Sequence, residues 1–208
     1  MNVKLVSYSK PTQEFEQEGL TDLQELIAFC AKVSNPAAQI NTETSERLIR
    51  YLIKHQHWSP LEMVNAVLEI ETTRDIAHQI VRHRSFAFQE FSQRYANPAE
   101  MGEQFVTREA RLQDPKNRQN SIGIDNESDL HYEWQMKQQK VIDIAKETYD
   151  WAIKAGIAKE QARVVLPEGN TKTRLYMNGT LRSWVHYIEL RGANGTQKEH
   201  MDIAHACA

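Results

Sequence analysis

Along the chain, apolar residues recur with two different periods, and these periods predict strands and helices. Apolar positions alternate with other residues over 3–8, 64–71 and 171–177, which is typical of strands. Helix-period apolar positions, together with capping residues, predict helices over 21–33, 44–55, 73–83, 127–155, 159–166, 181–190 and from 196 onward. Because these helices do not alternate strictly with the strands, the pattern indicates an α+β fold.

Local signals mark where several of these elements begin or end. The sequence Ser59-Pro60-Leu61-Glu62 has the spacing of a capping box, and so has Thr196-Gln197-Lys198-Glu199. Residues 105–129 show little periodicity, so we expect a long loop there that is functional or mobile. The apolar stripe predicted for the long helix consists of Trp134, Val141, Ala145, Thr148 and Ala152.

The composition places the chain among ordinary globular proteins. Of its 208 residues, 40% are hydrophobic and 25% are charged, which excludes a disordered or fibrous chain. The formal net charge is -3, so any affinity for anions has to come from a local cluster of basic residues. The chain has no membrane-length apolar run and no apolar signal segment, so we expect a single domain over residues 1–208 in the cytoplasm.

Several kinds of chemistry lack their usual sequence signature here. No Gly-x-Gly-x-x-Gly follows a strand and no P-loop occurs, so a dinucleotide cofactor would not sit on a Rossmann turn. The two cysteines, Cys30 and Cys207, cannot form a disulfide framework, and neither stands in a polar setting that favours a thiolate nucleophile. The histidines fit no recognised ligand spacing, so we predict no metal site.

Residues 79–95 carry an unusual concentration of polar side chains. If the helix extends to His83, then Gln79, Arg82 and His83 share a face. A glutamine beside an arginine can bind the amide-bearing edge of a base while the guanidinium binds a phosphate. Further groups suited to an anion or a sugar follow at Arg84, Glu90, Ser92 and Arg94. The alternative is a solvated basic patch with Glu90 as its counter-ion.

The spacing of these residues resembles a family signature. Arg82-His83-Arg84, then seven residues, then Ser92 and Arg94 is similar to the motif of the flavin-dependent thymidylate synthases. Three other segments resemble elements of that family in the same order, namely 57–62, 160–167 and 181–191, and Gln79 lies three residues before the motif. The resemblance therefore extends from His57 to Arg191.

The resemblance implies an activity, cofactors and an assembly. The family has an α+β fold with helices around a small, mainly antiparallel sheet, and it converts dUMP to dTMP. The carbon comes from 5,10-methylenetetrahydrofolate and the hydride from FAD that NADPH has reduced, without a cysteine nucleophile. The resemblance also implies a homotetramer with shared active sites, in the cytoplasm or in a host cytoplasm if the chain is viral, with neither nucleic acid nor membrane as a partner.

The resemblance implies site residues in this chain at the positions that match the family's motifs. The implied FAD contacts are His57, Ser59, Arg82, His83, Arg84, Glu90, Thr180, Leu181, Arg182 and His186. The implied dUMP contacts are Gln79, Ile80, Val81, Arg82, Glu90, Phe91, Ser92, Gln93, Arg94, Arg163 and Arg191. Tyr95 resembles a further member of the flavin and folate surroundings. Arg191 is the implied catalytic residue, because its permanent charge would stabilise negative charge on the pyrimidine and raise the nucleophilicity of C5.

The chain differs from the family pattern in two places, and two other functions are alternatives. The stretch 192–197 is rich in glycine, and the chain ends at Ala208 where relatives continue through a longer helix, so tetramer packing or folate access could differ. A nucleic-acid-binding module would place the arginines on phosphates and stack aromatic residues on bases, although the acidic balance disfavours it. A flavoprotein of this fold that has lost methyl transfer is the third hypothesis.

Overall fold

A four-stranded antiparallel sheet forms the centre of the protein. The computed structural model describes residues 2–208, and its strands in chain order are β1 (Asn2–Tyr8), β2 (Asn65–Thr73), β3 (Ala87–Glu90), β4 (Arg111–Gln113), β5 (Ser121–Gly123) and β6 (Lys172–Thr180). The main sheet has the order β1-β2-β6-β3, and β4 and β5 form a separate hairpin. Every neighbouring pair is antiparallel, so the predicted α+β class with a small antiparallel sheet is confirmed.

Eight α-helices lie around the sheet in the part of the chain that the structure describes. They are α1 (Gln13–Gln17), α2 (Leu23–Ala31), α3 (Ser45–Lys54), α4 (Arg74–Ile80), α5 (Asp129–Lys154), α6 (Lys159–Ala162), α7 (Leu181–Arg191) and α8 (Lys198–Ala206). Short 3-10 helices occur at Pro36–Ala38, Ser59–Glu62, Pro98–Met101 and Arg163–Val165. No helix within residues 2–208 is both long and apolar enough to span a bilayer.

The main core lies between one face of the sheet and three helices. Along β6, Thr173, Leu175 and Met177 are buried while the residues between them are more exposed, because successive side chains of a strand point to opposite faces. Apolar residues of α4, α7 and α8 cover the buried face, and they include Ile76, Ile80, Trp184, Tyr187 and Ile203. The three helices that carry Gln79, Arg191 and the C-terminal histidines are thereby fixed against each other.

A second core joins the first third of the chain to the start of α7. It consists of Ile27 on α2, Leu52 on α3, and Leu61 and Val64 around the 3-10 helix Ser59–Glu62. Leu181, the first residue of α7, packs against both this cluster and the main core. The 57–62 segment is therefore held beside the N-terminus of α7.

The apolar stripe of α5 differs from the predicted one. The buried residues of this helix are Gln138, Ile142, Ala145, Tyr149 and Ala152. Trp134 and Val141 are exposed instead, because Gln138 takes a buried position. The Gln138 side chain is satisfied there, since its Oε1 accepts the Arg108 backbone N–H at 2.8 Å and its Nε2 donates to the Arg108 carbonyl at 2.8 Å. A polar residue thus anchors the 105–110 segment, and a hydrophobicity pattern does not reveal it.

Both predicted capping boxes are wrong. Ser59 is the first residue of a 3-10 helix whose N-cap is Trp58, and Gln197 is the N-cap of α8, in each case without a side-chain capping bond. Their glutamates have other partners, since Glu62 pairs with Arg182 and Glu199 with Arg111. The two acidic residues that the local pattern assigned to caps therefore form long-range ion pairs instead. The predicted loop 105–129 is also interrupted, by the β4–β5 hairpin.

Candidate active site

The arginine-rich motif occupies a turn rather than a helix. Helix α4 ends at Ile80, three residues earlier than predicted, and the His83 N–H donates to the Ile80 carbonyl at 3.1 Å. The shared helix face expected for Gln79, Arg82 and His83 is therefore absent. The turn is anchored by Phe86, which is buried against Trp184 and Tyr187 of α7. Arg82 and Arg84 remain exposed on either side of the half-buried His83.

Arg191 and His83 form the closest polar contact between the motif and the end of α7. The Arg191 Nε–H donates to His83 Nε2 at 2.9 Å. Burial lowers the pKa of His83, and the positive charge of Arg191 lowers it further. His83 is therefore a neutral acceptor with its proton on Nδ1, and it fixes the position of the Arg191 guanidinium. The ring of Tyr187 packs edge-on against His83, with 5.0 Å between centroids.

The residues expected to bind FAD at the start of α7 do lie together. The Thr180 hydroxyl caps α7 by accepting the Ser183 N–H at 3.2 Å, and Arg182 forms an ion pair with Glu62. His186 packs on Trp58, with 4.5 Å between ring centroids. These contacts bring His57 and Ser59, both exposed on the preceding segment, to the same end of the molecule. The Ser183 hydroxyl also donates to the Ser85 carbonyl at 3.3 Å, which joins the motif turn to this group.

Glu90 has structural partners that sequence reasoning missed. Its carboxylate accepts from Arg74 Nη1 at 3.1 Å and from Thr173 Oγ1 at 2.9 Å. The interpretation of Glu90 as counter-ion to the motif arginines is therefore wrong, since its cationic partner is at the start of α4. The contacts hold the carboxylate at the end of β3, directly before the Phe91–Arg94 stretch.

The last expected dUMP contacts form a separate basic group. Arg94 Nη2 lies 3.4 Å from a carboxylate oxygen of Glu160, and Arg163 Nε donates to the Glu160 carbonyl at 3.3 Å. Arg163 therefore does not form the surface ion pair with the Glu160 carboxylate that its helical spacing allows. Ser92 Oγ accepts the Arg94 N–H at 3.4 Å. Gln93 is buried, and its Nε2 has no hydrogen-bond partner within residues 2–208.

One strand separates two of these groups within a single chain. Glu90 pairs with Leu175 on β6, whereas α7 begins after Thr180 at the end of the same strand. Five strand positions span about 17 Å. The chain therefore does not by itself bring Glu90 next to the expected FAD residues around Thr180. The expected dUMP contacts Ile80 and Val81 also differ in exposure. Ile80 is fully buried in the core, whereas Val81 is exposed.

Two cavities within residues 2–208 lie away from the expected site residues. One, of about 430 Å³, is lined by residues that include Thr73, Arg108, Glu109 and Lys172, and a second of about 480 Å³ is formed around the β4–β5 hairpin. None of the expected site residues lines either cavity. The motif arginines instead occupy an open surface, which suits a site that another surface completes.

Neither cysteine is activated. Burial raises the pKa of the Cys207 thiol to about 12, and it also raises the pKa of Cys30. Both thiols are therefore protonated at neutral pH, and the thiolate is the nucleophilic form. Neither thiol is therefore a suitable nucleophile at neutral pH.

The fold and the site together define an α+β protein whose arginine-rich surface suits a phosphorylated ligand. The family model described as thymidylate synthase complementing protein matches residues 18–208. A probable flavin-dependent thymidylate synthase of Paramecium bursaria Chlorella virus 1 is 49% identical over 207 residues, covering 100% of this chain and 92% of the relative. The flavin-dependent thymidylate synthase of Synechocystis sp. is 46% identical over 204 residues, covering 98% and 91%.

A solved structure agrees with these sequence relatives. The UMP/dUMP methylase PolB from Streptomyces cacaoi, crystallised with 5-Br dUMP, is 25% identical and superposes with a TM-score of 0.79. The match covers 99% of this chain and 86% of that chain. The chain belongs to the flavin-dependent thymidylate synthase family.

Proposed function

We propose that this protein is a flavin-dependent thymidylate synthase that acts in the cytoplasm and converts dUMP to dTMP. The observation that carries the proposal is the Arg191–His83 contact, which holds a permanent cation beside the exposed arginines of the family motif. In this reaction a methylene group from 5,10-methylenetetrahydrofolate becomes the C5 methyl of dTMP, and NADPH supplies the two reducing electrons by way of FAD. The PolB structure, which contains a dUMP analogue, supports a dUMP site on this fold.

The residues of this surface fit FAD. Arg82 and Arg84 are exposed, and neither forms an ion pair with a carboxylate within residues 2–208, so both guanidinium groups are available for a diphosphate. Ser59, His57, Thr180, Leu181, Arg182 and His186 add hydroxyl, ring and guanidinium groups at the neighbouring end of α7. Bound FAD, once NADPH has reduced it, would supply hydride at this surface, and the protein's own contribution is binding, orientation and electrostatics.

The arginines of the chain account for the substrate chemistry. Arg94 and Ser92 would bind the dUMP phosphate, with Arg163 nearby through Glu160, because a guanidinium fork and a hydroxyl both suit phosphate oxygens. Arg191 would lie at the pyrimidine and stabilise negative charge on its N3–C4–O4 side. That charge raises the nucleophilicity of C5 without a covalent bond to the enzyme, in agreement with the protonated cysteines.

A homotetramer with shared sites is part of the proposal. In one chain, about 17 Å of β6 separates Glu90 from the residues around Thr180, and the proposed assembly would bring such groups from different chains together. The buried Gln93 amide without a partner and an exposed apolar surface on α5 support an extensive contact between chains. The exposed apolar residues of α5 are Leu130, Tyr132, Trp134, Met136, Val141, Ile144 and Trp151.

Two measurements on the purified protein test the proposal. We expect the protein to bind FAD, seen as a flavin absorption spectrum, and to release tritium from C5-labelled dUMP only when NADPH and 5,10-methylenetetrahydrofolate are both present. A protein that takes up FAD and oxidises NADPH but releases no tritium would be a flavoprotein without methyl transfer. A colourless protein that takes up no added FAD would contradict the enzyme and favour a nucleic-acid-binding module.

A further inference from the structure

A partly buried chain of hydrogen bonds includes Gln79 and joins four segments of the protein. On one side, His200 Nδ1 lies 3.3 Å from Gln79 Oε1, and His200 Nε2 lies 3.1 Å from the Tyr187 hydroxyl. On the other side, Gln79 Nε2 donates to Gln197 Oε1 at 2.8 Å, and Gln197 Nε2 donates to Glu199 Oε2 at 2.9 Å. Arg111 closes the chain by donating from Nη2 to Glu199 Oε1 at 2.6 Å.

The carboxylate at one end fixes the direction of every bond in the chain. Ionised Glu199 can only accept, so the amide nitrogen of Gln197 must face it and the amide oxygen of Gln197 must face Gln79. Gln79 then presents its nitrogen to Gln197 and its oxygen to His200. His200 must therefore carry its proton on Nδ1, and its Nε2 accepts from the Tyr187 hydroxyl.

The burial of the chain keeps its members in these protonation states. His200 is 0% exposed, and its burial together with the positive charge of Arg191 lowers its pKa to about 4. Burial raises the pKa of the Tyr187 phenol, because burial disfavours its charged form, so the hydroxyl stays protonated and can donate. Burial is the largest single effect on Glu199 and raises its pKa, but the hydrogen bonds from Arg111, from its own backbone N–H and from Gln197, together with the charge of Arg111, outweigh burial, so the pKa is lowered. At neutral pH the chain therefore contains neutral His200, protonated Tyr187 and ionised Glu199.

We propose that Tyr187, His200, Gln197 and Glu199 are positioning residues that fix the orientation of the Gln79 carboxamide toward the uracil of dUMP. This inference rests on the proposed function, in which Gln79 is a dUMP contact. Gln79 is half-buried, and after its two internal bonds it retains one N–H and one lone pair on its oxygen. A reversed amide would exchange donor and acceptor at the imide edge of uracil, so a fixed orientation favours binding.

Two variants of one residue test this role. In His200→Asn, the amide nitrogen is as many bonds from the backbone as Nδ1 and can still donate to Gln79 Oε1. In His200→Leu, no donor remains, although both variants lose the imidazole ring. With FAD-loaded enzyme we expect the KM and Kd for dUMP to stay within about threefold of wild type in His200→Asn and to rise about tenfold in His200→Leu. In both, kcat and FAD absorbance should change much less.

The outcomes separate this inference from the proposed function. Equal Kd values for dUMP in the two variants would indicate a packing role and overturn the inference, while wild-type turnover would leave the proposed function intact. A wild-type enzyme that binds no dUMP would overturn both. If His200 variants do not fold, Gln197→Met decides, because Gln197 is only half-buried at the N-cap of α8. We expect its KM for dUMP to rise about tenfold, and an unchanged KM would refute the role of the chain.

Discussion

Arg191 and His83 illustrate how burial and a neighbouring charge together affect the protonation of a side chain. Partial burial is the larger cause of the lowered pKa of His83, and a cation 2.9 Å from the imidazole also disfavours a second positive charge. His83 therefore accepts a hydrogen bond instead of repelling the guanidinium. The motif histidine, which the family resemblance assigns to the flavin, also has the role of orienting the implied catalytic arginine.

Replacing Arg191 tests both effects at once. We expect Arg191→Ala to keep FAD bound but to lower kcat by about a hundredfold, the scale of losing one charge-stabilising donor. The same change removes a positive charge, so the pKa of His83 should rise while staying below its usual value because the ring remains partly buried. Turnover in the tritium-release assay and the NMR titration of the His83 Cε1–H measure the two results.

Arg191→Lys is the matched control, since it keeps the charge but loses the planar fork. Its kcat should fall less than that of Arg191→Ala, and its His83 pKa should stay low. Wild-type kcat in Arg191→Ala would refute the catalytic assignment, and an unchanged His83 pKa would show that burial alone lowers it.

The turn between α4 and β3 depends on a close contact with β6. Phe86 anchors this turn in the main core, and its ring lies against the backbone of Gly179. A Cβ at position 179 would overlap the Phe86 ring atoms, so only glycine fits. The exposed positions of Arg82 and Arg84 therefore depend on a residue nearly a hundred positions later in the chain, next to the cap of α7.

We expect Gly179→Ala to lower the free energy of unfolding by about 1–3 kcal/mol, because the added methyl must displace Phe86 from a packed core. Displacement of the turn should also weaken FAD binding. Gly169→Ala is the control, since a Cβ there meets no atom within 4 Å, and it should change stability by less than about 1 kcal/mol. Urea unfolding and FAD titration measure both variants, and equal stability of the two would contradict the packing argument.

Within one chain, the expected site residues form separate groups on the surface. The group around Thr180 and the Phe91–Arg94 stretch lie toward opposite ends of β6, and neither group lines the two cavities described above. A single chain with open, cationic surfaces is the form expected of a subunit whose partner completes the pocket. The proposed tetramer would place the Arg182 group of one chain against the Arg94 group of another.

Hybrid tetramers test this arrangement. Arg94→Ala and Arg182→Ala should each lower activity by about tenfold or more, since each removes a charged contact to phosphate or flavin. When the two variants are co-expressed with different tags and purified by both, some sites should receive wild-type residues from each chain. We expect the hybrid to be clearly more active than either parent. Activity equal to the mean of the parents would indicate that each site lies within one chain.

The sequence by itself determined the family, the α+β class and most of the helices and strands. These follow from local periodicity and from a motif of fixed spacing, both of which are properties of the linear chain. Arg82, His83, Arg84, Ser92 and Arg94 could be named in the same way. The assignments of these residues to FAD and dUMP remain predictions until ligand binding is measured.

Only the tertiary structure decided which polar groups are partners. Glu199 and Glu62 looked like capping residues, but they pair with Arg111 and Arg182, which are 88 and 120 positions away. Gln79 likewise contacts Gln197 and His200 at separations of 118 and 121 residues. A local pattern cannot contain such pairs, because only tertiary packing brings their partners together. Around Glu199 and Gln79, the packing of α4, α7 and α8 also removes polar groups from water, so that each of them requires a donor or an acceptor.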